Sequence, residues 1–156
     1  MSGLVRIVPK EESEIRLKED GRWIHQGEFF SNRKIIDFFH RAIRKDDQGR
    51  YYLHNVYDGK EEHVYFEVED TAYFVETLEF DEKARAFLVT LNTGDSGLVD
   101  VRGLETDERG VMYCRVLDDD RARLTPNAMR QLADLSRMDA GGVYVDLTGE
   151  KVYIGR

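Results

Sequence analysis

A pattern of strands and one helix occurs twice in this chain, and it constrains the fold more than any other feature. Each copy predicts short strands, then a helix that begins at Ser31 or at Thr125, then a hairpin that a glycine introduces. The two helix starts are about 94 residues apart, a period long enough for a whole structural unit. The sequence therefore predicts an α+β fold of two structurally similar lobes, each a curved antiparallel sheet packed on one helix.

The first lobe is predicted over residues 14–95, and it opens with a hairpin. Charged and apolar residues alternate before Asp20-Gly21, a dipeptide suited to a two-residue turn. This register gives three cross-strand pairs: Leu17 with Ile24, Lys18 with Trp23, and Arg16 with His25.

The rest of the first lobe is a helix, a second hairpin and two strands. Apolar residues at helical spacing predict a helix over residues 31–45 with Ser31 as its N-cap. A hairpin over residues 50–69 turns at Asp58-Gly59, and its register places His54 opposite His63. Strands over residues 72–92 complete the lobe.

The second lobe is predicted over residues 96–156 and repeats this order. Strands over residues 111–124 flank an acidic turn, Asp118 to Asp120. A helix over residues 125–137 follows, capped by Thr125 with Pro126 at its first position. A hairpin over residues 143–155 turns at Thr148-Gly149.

Charge and cysteine content limit the classes of partner. The net charge of −8 arises from 31 acidic and 23 basic residues without a basic run, so nucleic acid is not expected as a partner. Cys114 is the single cysteine, which excludes an intramolecular disulfide, and it is most simply a core residue. The first ten residues lack a signal-peptide pattern, and apolar runs are far shorter than the roughly 20 residues that span a bilayer. We expect a cytoplasmic protein without membrane association.

Paired histidines give the first candidate site. With His54 opposite His63, Glu61 and two tyrosines, Tyr52 and Tyr65, lie on the same face of the hairpin. The Cβ atoms of such a cross-strand pair are about 5 Å apart, and two imidazoles with one carboxylate can hold a zinc-type ion. Histidines on the solvated face of a long hairpin are also common without a metal.

An aromatic and basic cluster gives the second candidate site. Trp23 and His25 share a predicted face with Arg16, which would suit a planar or anionic ligand. The glycine-containing loop of Asn92, Thr93, Gly94 and Asp95 could present backbone amides to an anion at the seam between the lobes. Trp23 as a core residue and the loop as a plain connector are the structural alternatives.

Known catalytic motifs are absent. The sequence has no Gly-x-Ser-x-Gly elbow, and it has neither a nucleotide-binding nor a dinucleotide-binding glycine loop. The acidic turn at Asp118 to Asp120 lacks the ligand spacing of a calcium loop. Glu67, Glu69 and Asp70 are most simply charges that protect a strand edge, and the alternative is that two of them act as acid and base.

Several segments together resemble a bacterial family, domain of unknown function 1285 (DUF1285). The resemblance rests on the stretches 20–28, 35–39, 46–53, 66–70 and 92–95, and more weakly on 112–135. Family prolines after Glu28 and near Asp70 are missing, and the hairpin around Asp58-Gly59 is longer here. The resemblance implies a two-repeat α/β fold with no established activity, so it supplies no catalytic residues.

The sequence thus predicts a non-enzymatic module of a regulatory kind that binds a small ligand or a protein between the lobes without a cofactor. Its site would comprise the following residues: Arg16, Trp23, His25, Asn92, Thr93 and Asp95. One alternative is a metal-assisted hydrolase that uses His54, His63 and Glu61. Another is a homo-oligomeric scaffold that pairs the strand from Glu150 to Ile154, and both a monomer and a homodimer remain open.

Overall fold

The computed structural model describes residues 4–116 and 120–155. Strands and helices pack in both halves, so the prediction of an α+β fold is confirmed. The chain divides into two compact units, residues 1–72 and 73–156. We call them unit 1 and unit 2. Two of the three residues of the predicted acidic turn, Asp118 and Asp119, lie outside the described residues.

Unit 1 contains two helices and eight strands among its described residues. In chain order these are β1 (Val5–Val8), α1 (Lys10–Ser13), β2 (Ile15–Leu17), β3 (Trp23–His25), β4 (Glu28–Phe29), α2 (Arg33–Ala42), β5 (Ile43–Lys45), β6 (Tyr51–Tyr57), β7 (Lys60–Tyr65) and β8 (Glu67–Val68). They form two four-stranded sheets, ordered β1-β7-β6-β5 and β4-β3-β2-β8. Because β1 pairs with β7 and β2 pairs with β8 in parallel, the sheets are mixed and not purely antiparallel as predicted.

The register predicted for the first hairpin is wrong by one residue. Leu17 pairs with Trp23 and Arg16 with Ile24. Lys18 N–H donates to the Arg22 carbonyl at 2.8 Å, and Gly21 alone in this turn has positive φ, at 90°. The connection is therefore a three-residue loop with a left-handed glycine, whereas the prediction assumed a two-residue turn.

The first long helix is shorter than predicted. It begins after Asn32, whose side-chain oxygen accepts hydrogen bonds from the N–H groups of Lys34 and Ile35 at 3.0 and 3.3 Å. Asn32, and not Ser31, is the N-cap. The helix ends at Ala42 because Ile43, 2% exposed, turns to extended backbone and pairs with Leu53 in the neighbouring sheet.

Trp23 is the centre of the unit 1 core. Its side chain is 1% exposed, and its ring lies 5.0 Å from Phe66 and 5.3 Å from Phe39. Its indole N–H donates to Nδ1 of His40 at 3.4 Å. Burial lowers the pKa of His40 to about 4, so at neutral pH the imidazole is uncharged and can accept this bond.

Unit 2 contains one α-helix and nine strands among its described residues. In chain order these are β9 (Tyr73–Asp81), β10 (Ala86–Leu91), β11 (Ser96–Val99), β12 (Glu105–Thr106), β13 (Met112–Val116), β14 (Asp120–Leu124), α3 (Pro126–Leu135), β15 (Arg137–Asp139), β16 (Gly142–Leu147) and β17 (Glu150–Tyr153). A 3-10 turn, Val101–Gly103, lies between β11 and β12. The sheets are ordered β11-β10-β9-β14-β13-β12 and β15-β16-β17.

The boundary predicted at residue 95 differs from the one in the structure. β9 pairs in parallel with β14, so the strands predicted over residues 72–92 join the second half of the chain.

The oxygen of Thr125 accepts from Ala128 N–H at 3.2 Å, which caps α3 as predicted, and the same hydroxyl donates to the Val75 carbonyl at 3.0 Å. α3 ends at Leu135, two residues before the predicted end, because Arg137–Asp139 forms a strand.

The repeated part of the two units is a helix, a short strand and a hairpin. β5 and β15 each follow a ten-residue helix and pair antiparallel with the first strand of a hairpin. In the second hairpin, Val145 pairs with Val152 around Thr148-Gly149. The strands that precede each helix differ between the units, so the repetition is partial.

None of the helices in the described ranges combines the length and apolar character that a membrane span requires.

The cap assignment predicts a selective loss of stability. We expect Asn32→Ala to lower the free energy of unfolding by about 1 kcal/mol, because two helix N–H groups lose their acceptor. Ser31→Ala is the matched control and should leave stability nearly unchanged. Urea unfolding followed by circular dichroism measures both, and an equal loss for both variants would contradict the assignment.

The partly buried imidazole of His40 predicts a pH dependence of stability. Its folded pKa of about 4 lies below the ordinary value of 6.5, so the unfolded chain binds the extra proton more readily. Its contribution to stability is therefore complete above about pH 6.5 and is lost as the pH falls toward 4. His40→Gln retains an acceptor for Trp23 and should flatten this part of the profile, while His25→Gln should not. Chemical unfolding at several pH values measures the difference.

Candidate functional site

Three metal-ligating side chains converge on the hairpin of β6 and β7. Nε2 of His54 lies 2.8 Å from Oε1 of Glu61, and Nε2 of His63 lies 3.1 Å from the same oxygen. The three ligand atoms all lie within 4.8 Å of one another. We call these three residues the His-Glu-His triad.

The turn at Asp58-Gly59 places the triad. Asp58 and Gly59 both have positive φ, 47° and 71°, as a two-residue hairpin turn requires. This turn sets His54 directly opposite His63, as predicted. Side chains alternate between the faces of a strand, so Glu61 and His63 emerge on the same side of β7.

Aromatic rings fix the orientation of one imidazole. The ring of Tyr52 stacks on His63 with a centroid distance of 4.2 Å and an interplanar angle of 23°. Tyr65 packs against Tyr52 at 5.4 Å, and its hydroxyl donates to Oδ2 of Asp46 at 3.0 Å. The stacked tyrosine restricts rotation of the His63 ring, which keeps Nε2 directed at the carboxylate.

Strand β1 supplies the border of the site, which sequence reasoning missed. Val5 pairs with Glu61 and Ile7 with His63, and the two apolar side chains are 41% and 54% exposed. Val56, 61% exposed, borders the triad on β6. The apolar-charged alternation from Val5 to Ile7 signals a strand. A parallel partner 56 residues away leaves no local signal in the sequence.

Electrostatics favour an ionised carboxylate at the centre. Hydrogen bonds from His63 and then His54 lower the pKa of Glu61 below its ordinary value. The side chains of His54, Glu61 and His63 are 31%, 40% and 21% exposed, so the triad is reachable from solvent. Two imidazole nitrogens and a carboxylate oxygen on an open face form a ligand set that suits Zn²⁺ or a related transition metal.

The second predicted site is not assembled by the structure as predicted. Trp23 is buried in the core of unit 1, and so it offers no aromatic shelf to a ligand. His25 is partly exposed and stacks on Phe30 at 5.9 Å. Because Arg16 pairs with Ile24, it lies on the opposite face from Trp23, and it forms an ion pair with Glu67 at 3.3 Å.

The loop Asn92 to Asp95 is internally bonded. Asn92 is 8% exposed, and its side-chain oxygen accepts from Phe74 N–H at 2.9 Å. The Thr93 hydroxyl donates to Asp95 at 2.8 Å, and Gly94 N–H donates to the Leu91 carbonyl at 2.9 Å. These bonds build the turn between β10 and β11, so the Gly94 amide predicted for an anion is already engaged.

The prediction for the single cysteine agrees with the structure. Cys114 is 1% exposed, and burial raises its pKa to about 12, so the thiol is a core group and not a nucleophile. Glu67 and Glu69 form ion pairs with Arg16 and Lys18.

Two solved structures share this fold. One is a DUF1285 family protein from Silicibacter pomeroyi DSS-3, with a TM-score of 0.61 and 18% identity over 97% of this chain and 84% of that one. Another is a DUF1285 family protein from Shewanella baltica OS155, with a TM-score of 0.55 and 16% identity over 80% of this chain and 94% of that one. No protein-family model matches the chain, and no curated protein matches it.

These neighbours confirm, at the level of fold, the resemblance to DUF1285 proteins that the sequence predicts. At 16–18% identity they show the fold alone. The family is named for its unknown function, so the neighbours supply no activity for this chain.

Proposed function

We propose that this protein binds a divalent transition metal ion, with Zn²⁺ as the preferred ion, through His54, Glu61 and His63. The observation that supports the proposal most directly is the convergence of two imidazole nitrogens on one carboxylate oxygen. We thus propose metal ions as the ligand of the predicted binding module. The surface predicted around Trp23 is a weaker candidate, because Trp23 is buried in the core.

The geometry requires little movement to accept the ion. Ligand atoms around a tetrahedral zinc lie roughly 3.3 Å apart, since each lies about 2.0–2.1 Å from the metal. The three atoms here lie within 4.8 Å of one another, so side-chain rotations on the order of an ångström close the set. The metal would replace the two hydrogen bonds to Glu61 with coordination bonds to the same three atoms.

Tyr52 supports the proposal as a residue that positions a ligand. Metal-bound histidines bind best when neighbours fix the ring plane, and the stack at 4.2 Å fixes that of His63. The same hairpin carries all three ligands, and its turn has the backbone conformation that its register needs. The hairpin therefore holds the three proposed ligands close together without an ion.

Removal of single ligands tests the metal site. We expect titration calorimetry with Zn²⁺ to show one site per chain, weakened at least tenfold by His54→Ala, His63→Ala or Glu61→Gln. His25→Ala removes a histidine outside the triad and should bind like the unmodified protein. Affinity should fall as the pH is lowered, because protons compete with zinc for the ligand atoms. Equal binding by the triad variants and the control would refute the proposal.

Hydrolysis by a metal-bound water is a second candidate function. Three protein ligands leave the fourth position of a tetrahedral zinc for water, and the site faces solvent, as in catalytic zinc sites. A zinc ion held by His54, Glu61 and His63 would lower the pKa of such a water to about 7 and so supply a nucleophile at neutral pH.

Activity of the zinc-loaded protein tests this second candidate. We expect p-nitrophenyl acetate or bis(p-nitrophenyl) phosphate to be cleaved faster by the zinc-loaded protein than by the same protein treated with a chelator. His54→Ala should lose the difference, and His25→Ala should retain it. A protein that binds zinc tightly yet cleaves neither compound above the chelated level would be a binding module and not a hydrolase of these ester classes.

A further inference from the structure

The hairpin of β6 and β7 has a counterpart in unit 2, the hairpin of β16 and β17, and both carry a cross-strand pair of tyrosines. Tyr52 pairs with Tyr65 on the first hairpin, and Tyr144 pairs with Tyr153 on the second. The rings of each pair pack against each other, with centroid distances of 5.4 and 5.7 Å. The repetition between the units therefore extends to particular side chains.

A carboxylate holds the second tyrosine of each pair. The Tyr65 hydroxyl donates to Oδ2 of Asp46 at 3.0 Å. The Tyr153 hydroxyl donates to Asp139, at 3.0 and 2.9 Å from its two oxygens. Asp46 directly follows β5 and Asp139 ends β15, so both acids lie at the end of the strand before the hairpin. We call each set an acid–tyrosine frame, and the two frames are Asp46, Tyr65 and Tyr52 in unit 1 and Asp139, Tyr153 and Tyr144 in unit 2.

Asp46 is a fixed acceptor, because the turn that follows it binds both of its oxygens. Oδ1 accepts from the N–H groups of Gln48 and Arg50 at 2.9 and 2.8 Å, and Oδ2 accepts from Nε of Arg50 at 3.0 Å. The Arg50 N–H and the other donors lower the pKa of Asp46 to about 2, so the carboxylate is ionised at neutral pH. A hydroxyl bonds more strongly to an ionised acceptor than to a neutral one. Asp46 therefore holds the Tyr65 ring at one position over the sheet.

The two frames carry different side chains on their first tyrosine. In unit 1 the imidazole of His63 stacks on Tyr52 at 4.2 Å. In unit 2 the Lys151 ammonium lies 4.8 Å from the centroid of the Tyr144 ring. His63 and Lys151 each precede the second tyrosine of their pair by two residues. The frame is thus common to both units, whereas the group that it orients is an imidazole only in unit 1.

We infer that Asp46 and Tyr65 position His63 for metal binding, acting through Tyr52, and this role rests on the proposed function. Three successive contacts join the acid to the imidazole: the hydroxyl–carboxylate bond, the contact between the two tyrosine rings, and the stack on His63. Neither Asp46 nor Tyr65 is a ligand of the ion. Loss of the hydroxyl bond frees the Tyr65 ring to tilt, which loosens the Tyr52 ring and lets the His63 nitrogen turn away from Glu61.

Removal of one hydroxyl tests this role on the full chain. Tyr65→Phe keeps the ring and loses the bond to Asp46. We expect it to weaken Zn²⁺ binding about fivefold in titration calorimetry, less than the 10–100-fold loss typical for a direct partner of a metal-bound histidine. Tyr153→Phe removes the equivalent hydroxyl from the frame of unit 2, and it should bind Zn²⁺ like the unmodified protein.

Nuclear magnetic resonance of the metal-free protein gives a readout that a general loss of stability would not move. The Tyr52 ring current shifts the signals of the imidazole protons of His63 upfield, because the rings stack at 4.2 Å. We expect Tyr65→Phe to move these signals toward those of an exposed histidine, and Asp46→Asn to move them less in the same direction, because the acceptor loses its charge. Tyr153→Phe should leave them unchanged. Their loss in His63→Gln assigns the signals.

The outcomes separate this role from the metal site itself. Unmodified protein that binds no Zn²⁺ would overturn both. Zinc binding by the unmodified protein, with the same affinity and the same His63 signals in Tyr65→Phe, would overturn the positioning role alone. An equal loss of affinity in Tyr65→Phe and Tyr153→Phe would also overturn it, since the effect would then come from a general weakening of the fold.

Discussion

The left-handed backbone at Asp58 and Gly59 is the constraint on which the candidate metal site depends. Only a two-residue turn with positive φ at both positions sets this hairpin in the register that faces His54 toward His63. A slip by one residue would send the imidazole of one strand to the opposite face. The chemistry of this face thus follows from two backbone angles in an exposed turn.

The first hairpin shows the limit of the same argument. The dipeptide Asp20-Gly21 is typical of a two-residue turn, but the chain forms a three-residue loop there. Only Gly21 in this loop has the left-handed backbone conformation, whereas a two-residue turn needs it at both positions. This choice pairs Leu17 with Trp23 and buries both, at 0% and 1% exposure. Burial of a large apolar pair outweighs the local preference of the dipeptide, and local sequence cannot report that tertiary gain.

Local patterns therefore predicted the elements well and their partners poorly. The start of α3 after Thr125, the hairpins at Asp58-Gly59 and Thr148-Gly149, and two histidines opposite each other follow from spacing and turn chemistry. The parallel pairing of β9 with β14 joins residues about 50 positions apart, and it moves the boundary between the units. Contacts between residues so far apart in the sequence depend on which apolar surfaces the other elements leave exposed. No short window of sequence therefore encodes them.

All three residues of the proposed metal site lie within ten residues of one antiparallel ribbon, at positions 54, 61 and 63. None of them belongs to the buried core, so their replacement leaves the packing of the core side chains in place. A site of this kind can arise or disappear in evolution through one or two substitutions and leave the scaffold intact. Proteins with this architecture can therefore differ at these three positions while their folds stay alike.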